Sequence, residues 1–299
     1  MKKLFALLMA ACMIFGSVML TSCDVADMMN SIGLPNGNTT ANNSGQLSNG
    51  NANDNFVSND NGITNGNSFG DSYLGMQPYA LYASQMGNAK KANNVTVTVD
   101  AVNRVTILGT ETTTEENFTL KLDGIKFSAD MLIHEEHFEQ KIMKKLWCID
   151  GYLYSESGEE LVKESIDEAY VEEKIAELKA SYDTYIFNFT EEYFADAKFT
   201  FDQYGASMTL DLTSEEISAL LTEATGVPTN ITAEACKVSI SYDLEGNVSG
   251  YIFELDGVVN ADILGSYEIY MRYDIQFSLH GKTNVDHPEH SNKFKDKNK

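Results

Sequence analysis

Apolar residues occupy every second position through Tyr267, Ile269, Met271, Tyr273, Ile275, Phe277 and Leu279, with mostly polar residues between them. Such period-two alternation predicts a long strand with one buried face. The same pattern recurs upstream. Val95, Val97 and Val99 alternate with Thr96, Thr98 and Asp100, and Phe118, Leu120 and Leu122 with Thr119, Lys121 and Asp123. Beyond Gly124 it resumes with Ile125, Phe127, Ala129 and Met131, which predicts a bulge or bend at Gly124 within one long strand pair. Ile142 to Tyr154 reads as one strand closed by a Ser157-Gly158 turn. Phe199 and Phe201 face Met208, Leu210 and Leu212 across a turn at Gln203-Tyr204-Gly205. Val238, Ile240 and Tyr242 meet Tyr251, Phe253 and Leu255 across Glu245-Gly246-Asn247. Together these runs predict an antiparallel sheet with one apolar and one wetted face.

Helical spacing interrupts the alternation. Pro78 to Met86 reads as a short helix with proline in its first turn. Ser165-Ile166-Asp167-Glu168 has the form of a capping box, followed by Ile166, Tyr170, Ile175 and Leu178 at helical spacing. Thr213-Ser214-Glu215-Glu216 is a second such box, with Ile217, Leu220, Leu221 and Ala224 as its apolar stripe and Gly226 as its stop. Each helix has a single apolar stripe, so each is expected to pack on the apolar face of the sheet.

The N-terminal region changes the picture from fold to location. Lys2 and Lys3 precede an apolar run from Leu4 to Leu20, and Thr21-Ser22 leads into Cys23. A charged start, an apolar middle and small residues before the cleavage point mark a signal peptide. The cysteine after them resembles the diacylglycerol acceptor of bacterial lipoproteins, which makes Cys23 the expected lipidation site and new N-terminus. Two or more acyl chains hold such a protein stably on a membrane, at about 0.8 kcal/mol per buried CH₂. Residues 1–22 are therefore the signal peptide. Residues 23–72, dominated by Asn, Gly and Ser, are expected to form a disordered tether. About 45 residues of such coil span roughly 35–40 Å. Residues 73–281 form the folded domain, and the polar stretch 282–299 is expected to be a disordered tail.

The formal charge of −23 opposes nucleic acid, whose phosphates need clustered Lys and Arg. It also opposes adsorption to anionic lipid, leaving the acyl group as the link to the membrane. Cys148 and Cys236 are the cysteines remaining in the domain, and either a disulfide or two buried thiols fits them.

The order of elements resembles the lipoprotein-carrier superfamily of LolA, LolB and LppX/LprG-like proteins, and looks closest to Gram-positive bacterial lipoproteins of that fold. The features that carry the resemblance are the lipobox, the tether, and the helix before Asn94-Val95-Thr96-Val97. To these are added Ile149-Asp150-Gly151-Tyr152-Leu153-Tyr154 before the first capping-box helix, the stretch Tyr185 to Leu221, and the final long hairpin. The resemblance implies an α+β fold: a curved antiparallel sheet, an incomplete β-barrel, with helices packed on its concave face. It further implies a non-catalytic, lipid-anchored protein on the extracytoplasmic face of a bacterial cell membrane, binding a lipid or other hydrophobic ligand between sheet and helices. The other reading is a structural or interaction module, displayed on its tether to contact cell wall or envelope proteins. The acidic charge and the many tyrosines at apolar positions depart from a greasy carrier cavity.

No residue set announces a chemistry. His134-Glu135-Glu136-His137 places its histidines at i and i+3, whereas the zinc protease pattern needs i and i+4 on a helix. It reads as a solvated loop, and His287-Pro288-Glu289-His290 as part of the tail. Glu159-Glu160, Glu191-Glu192 and Glu215-Glu216 are adjacent in sequence only, and suit turns and helix starts better than glycosidic acids. Trp147 is expected in the core. The expectation is therefore no catalytic residue, no metal ligand and no cofactor, with protein partners open.

Overall fold

The computed structural model describes residues 76–136, 140–226, 228–261 and 265–297, with only the backbone of Gln140 and Ala261. Cys23, the signal segment and the tether lie outside the described residues. The chain opens with α1 (Pro78–Lys91), whose Leu81, Tyr82, Gln85, Met86 and Ala89 are buried along one face. Six strands follow: β1 (Asn94–Ile107), β2 (Thr110–Asp123), β3 (Lys126–Glu135), β4 (Gln140–Ile149), β5 (Tyr152–Ser157) and β6 (Glu160–Ser165). Then come α2 (Glu168–Asp183), a 3-10 turn (Glu191–Phe194), β7 (Lys198–Asp202), β8 (Gly205–Asp211) and α3 (Ser214–Thr225). Three long strands, β9 (Ile231–Tyr242), β10 (Val248–Ala261) and β11 (Gly265–Ser278), precede a short 3-10 turn (Ser291–Lys293) and β12 (Lys295–Asp296).

The strands form one open, curved sheet in the order β12-β6-β5-β4-β3-β2-β1-β11-β10-β9-β8-β7. All its pairings are antiparallel except that of β12 with β6. Two runs of sequentially paired strands, β1 to β6 and β7 to β11 (with α3 between β8 and β9), are joined where β1 pairs β11 from Thr96↔Ser278 to Thr106↔Glu268. This is an α+β incomplete barrel. β6 lies near one free edge and β7 is the other, so the chain between them must cross the sheet. It does so over the inner face, as α2 and residues 184–194. Topology, not helix propensity alone, therefore puts α2 where it is.

Alternation gives the inner faces of β1, β2 and β9 to β11, whereas Ile125 falls in a turn and Phe201 sits on β7 at the sheet edge, both exposed, and the turns refine the strand boundaries. Gly124 is not a bend within a strand. It takes φ +65° in the two-residue turn between Asp123 and Lys126, the glycine-first geometry of a tight hairpin. Ile142 to Tyr154 is likewise two strands, parted by Asp150 and Gly151, both at positive φ. Leu279 leaves the alternating run: β11 ends at Ser278, and Leu279 is exposed.

The first capping box is displaced, and the stripe with it: α2 buries Val171, Lys174, Leu178 and Tyr182, while Tyr170 is exposed and Ile166 precedes the helix. Asp167, not Ser165, caps α2, accepting from the Tyr170 N–H at 2.9 Å, because Ser165 is still paired to Tyr152 in the sheet. The second box forms with both arms, Thr213 and Glu216 each accepting from the other's backbone N–H.

Residues 282–297 depart from the disordered tail that their polarity suggests. Thr283 and Val285 are buried, and the Thr283 hydroxyl meets that of Thr96 at 3.1 Å. Phe294 drops onto the outer face between Ile149, Tyr154, Trp147 and Leu161, and β12 adds to β6 at Val162 and Lys163. Two apolar side chains spaced nine residues apart suffice, because Trp147 and Tyr154 offer an uncovered aromatic surface.

Candidate functional site

The register places the alternating apolar residues on one inner face. Val97 faces Phe277, Val99 faces Ile275 and Ala101 faces Tyr273. Tyr273 in turn faces Phe253, which faces Val238. α1, α2 and residues 185–194 cover much of this face with aromatic rings. Phe187 lies 4.6 Å from Phe253, Tyr185 lies 5.2 Å from Tyr273, and Tyr82 meets Phe189 edge-on at 6.0 Å. The Tyr251 hydroxyl is buried and accepts from the Phe187 N–H at 3.3 Å.

A polar group sits inside this apolar wall. Asn103 on β1 and Glu116 on β2 are each 4 % exposed and share the inner face, since Asn103 faces Thr114 and Glu116 faces Ala101. Tyr185 donates its hydroxyl to the Glu116 carboxyl. Tyr273 donates to Asn103 Oδ1 at 3.1 Å. Among the described residues Asn103 Nδ2 has no hydrogen-bond partner. Whichever way the amide is turned, one of its polar atoms stays unpaired, at a cost of about 1–3 kcal/mol. Burial, and then the charge of Glu116, push the Tyr273 phenol well above its usual range. These groups hold protons in place. They can orient a polar atom of a bound molecule, and they do not build an activated nucleophile.

Toward the far end of the strands the inner face is less covered. Val105 and Ile133 are half-buried, and Ile142 is 37 % exposed. Ile133 stands directly opposite Glu116, and Ile142 opposite Ile133, so this apolar strip runs up to the polar pair.

The residues singled out in the sequence do not converge. His134 is the penultimate residue of β3, with Nδ1 3.8 Å from Glu115, and His137 lies outside the described residues. His287 Nε2 pairs with Asp150 at 3.0 Å, and His290 only precedes a 3-10 turn. Among the described residues no three His, Cys, Asp or Glu side chains form a metal-binding group. Glu191 and Glu192 open the 3-10 turn, Glu216 closes a capping box, and Glu160 begins β6 after the turn residue Glu159. Trp147 lies on the outer face beneath Phe294. Cys148 and Cys236 are free, buried, and six strand positions apart.

Asn103 and Glu116 carry a signal in the sequence. Asn103 falls in phase with Val95, Val97, Val99 and Ala101, and Glu116 in phase with Phe118, Leu120 and Leu122. A polar residue at an apolar phase of a strand is the mark of a buried polar site.

No family model matches the chain, and no curated protein matches it. Among solved structures it is similar to LprF from Mycobacterium bovis, at 8 % identity and a TM-score of 0.30, over 70 % of this chain and 95 % of that one. It is also similar to a DUF1329 family protein from Desulfovibrio piger, at 12 % identity and a TM-score of 0.21, over 70 % of this chain and 93 % of that one. A 12:0-ACP thioesterase from Umbellularia californica follows at 13 % identity and a TM-score of 0.14, over 62 % of this chain and 77 % of that one.

Proposed function

We propose that this chain is a bacterial lipoprotein, held by acyl groups on Cys23 at the extracytoplasmic face of the cell membrane, whose domain binds a hydrophobic or lipid-like ligand. Binding is non-catalytic, and the chain takes its place beside the lipoprotein-carrier superfamily that its sequence resembles. The observation that carries the reading is the partly uncovered apolar pair Ile133 and Ile142, which runs up to Glu116 and the neighbouring buried Asn103 amide with its unpaired nitrogen. An apolar body with one polar atom is the complement of such a surface. Burial pushes the Cys148 and Cys236 thiols up, opposite to what an activated nucleophile needs.

The anchor and the ligand are tested separately. Radiolabelled palmitate should enter the full-length chain in a lipoprotein-processing host and not its Cys23→Ala variant; equal labelling would remove Cys23 as the lipid site. For the ligand, native mass spectrometry of residues 23–299 carrying Cys23→Ala, purified without detergent, should show a discrete added mass that organic extraction removes.

The interlocked rings of Phe187, Phe253 and Tyr273 favour a second reading, because they fill the deepest part of the inner face. That reading is a packed interaction module that contacts cell wall or envelope proteins. A clean apo mass, with no uptake of offered phospholipid or fatty acid, would favour it over the carrier.

A further inference from the structure

A second concavity lies away from the inner-face strip, at the rim where α1 ends, β1 begins and the chain leaves β11. It encloses about 240 Å³. Five of its ten lining residues bear carboxamides, among them Asn88, Asn93, Asn94 and Asn247, and His280 supplies an imidazole; none bears a fixed charge. In a chain of net charge −23 that is an unusual surface. The carboxamides come from α1, the α1–β1 link, the start of β1 and the β9–β10 turn, and it is the fold that brings Asn247 of that turn to the others.

The walls are held from behind. Asn94 Oδ1 accepts from the Thr283 N–H at 2.8 Å, and its Nδ2 donates to Asp123 at 2.9 Å. The Asn247 amide donates to Asp243 at 3.0 Å. His280 Nε2 lies 3.2 Å from the Val248 carbonyl oxygen, and by donating to it leaves Nδ1 as an acceptor. Asn93 Oδ1 takes a hydrogen bond from Lys179 at 3.0 Å, which leaves its NH₂ to the pocket. Asn88 is exposed, and its side chain has no hydrogen-bond partner among the described residues.

We propose that this pocket binds one uncharged sugar ring, such as the end unit of a glycan, through its hydroxyls. Asn88 can both donate and accept, the Asn93 NH₂ can donate and His280 Nδ1 can accept, and a pair of neighbouring hydroxyls meets such a mixed set. The volume is below the roughly 300 Å³ at which drug-sized pockets begin, which suits a single ring. Asp123, its Oδ1 engaged by Asn94, and Asp243, both oxygens engaged by Asn247, stand behind the wall opposite in sign to the Lys179 ammonium on Asn93, so neither sign of fixed charge dominates the pocket. The site is independent of the lipid-ligand reading.

The test is saturation-transfer NMR on the full chain in detergent, with glucose, N-acetylglucosamine, glucuronate and glucosamine as probes. At least one neutral sugar should bind with Kd of about 10 mM or below, and both charged analogues at least about tenfold more weakly. Asn88→Leu and Asn93→Leu should each weaken that binding about fivefold or more without changing the melting temperature. No signal from either neutral sugar, equal or better binding of a charged analogue, or undiminished binding by both variants would overturn the proposal.

Discussion

The Tyr82 hydroxyl on α1 donates at 3.1 Å to the carbonyl oxygen of Phe187, 105 residues later, and both groups are buried. This bond ties the first helix to the segment that crosses the sheet. Burial pushes the Tyr82 phenol well above its usual range, so it stays a donor across physiological pH. Tyr82→Phe keeps the ring contacts and strands the Phe187 carbonyl. A loss of about 1–3 kcal/mol in urea unfolding is expected; no change would mean that the carbonyl finds water instead.

Burial raises the thiol of Cys148 to about 11 and that of Cys236 to about 12. Both are therefore neutral thiols at pH 8. Peptide mapping after brief iodoacetamide treatment should find neither modified in the folded chain and both modified in urea. Because the folded values lie above the unfolded value near 9, their contribution to stability is full below that pH. It is lost as pH rises toward 11–12. Rapid native labelling at pH 8 would contradict this.

Phe294 is 6 % exposed and joins the C-terminal residues to the outer face beside Trp147, the chain's single tryptophan. Phe294→Ala removes a large ring from that cluster, and costs of about 3–5 kcal/mol accompany such losses in a core. Here the cost is expected as local release of residues 282–297 before global unfolding. Tryptophan emission should shift to the red, and trypsin should cut near Lys293 or Lys295 sooner than in the wild type. An unshifted spectrum would show that the aromatic contact does not hold the segment.

Helix starts give a matched pair. Asp167 caps α2 and Thr213 caps α3. Asp167→Ala and Thr213→Ala should each lower stability by about 1 kcal/mol, while Asp167→Asn and Thr213→Ser should retain most of it. Chemical denaturation of the four variants checks this, and equal loss in the Asn and Ser variants would point to contacts other than capping.

Much of the secondary structure was legible because it rests on local rules. Alternation from Tyr267 to Phe277 marks β11, and the Thr213 box marks the start of α3. What misled was also local. Ser165 and Glu168 have capping-box spacing, yet sheet pairing with Tyr152 holds Ser165 in β6. Residues 282–297 are polar enough to read as coil, yet Phe294 has an aromatic seat more than 130 residues earlier at Trp147 and Tyr154.

Alternation alone indicates which side of β1, β2 and β9 to β11 is apolar, and the N-terminal string offers Cys23 as the candidate for acylation. Side-chain direction follows from backbone period, and a signal segment is a contiguous string, so both are written in neighbouring positions. The fold is what puts Asn103 and Glu116 on one wall with Tyr185 and Tyr273, and what brings Asn247 to the carboxamides of residues 85–94 in one pocket. Those meetings depend on strand register and on the route from β6 to β7 across the sheet. Register is set by pairing between strands far apart in the chain, where a shift of one residue would turn every side chain to the opposite face.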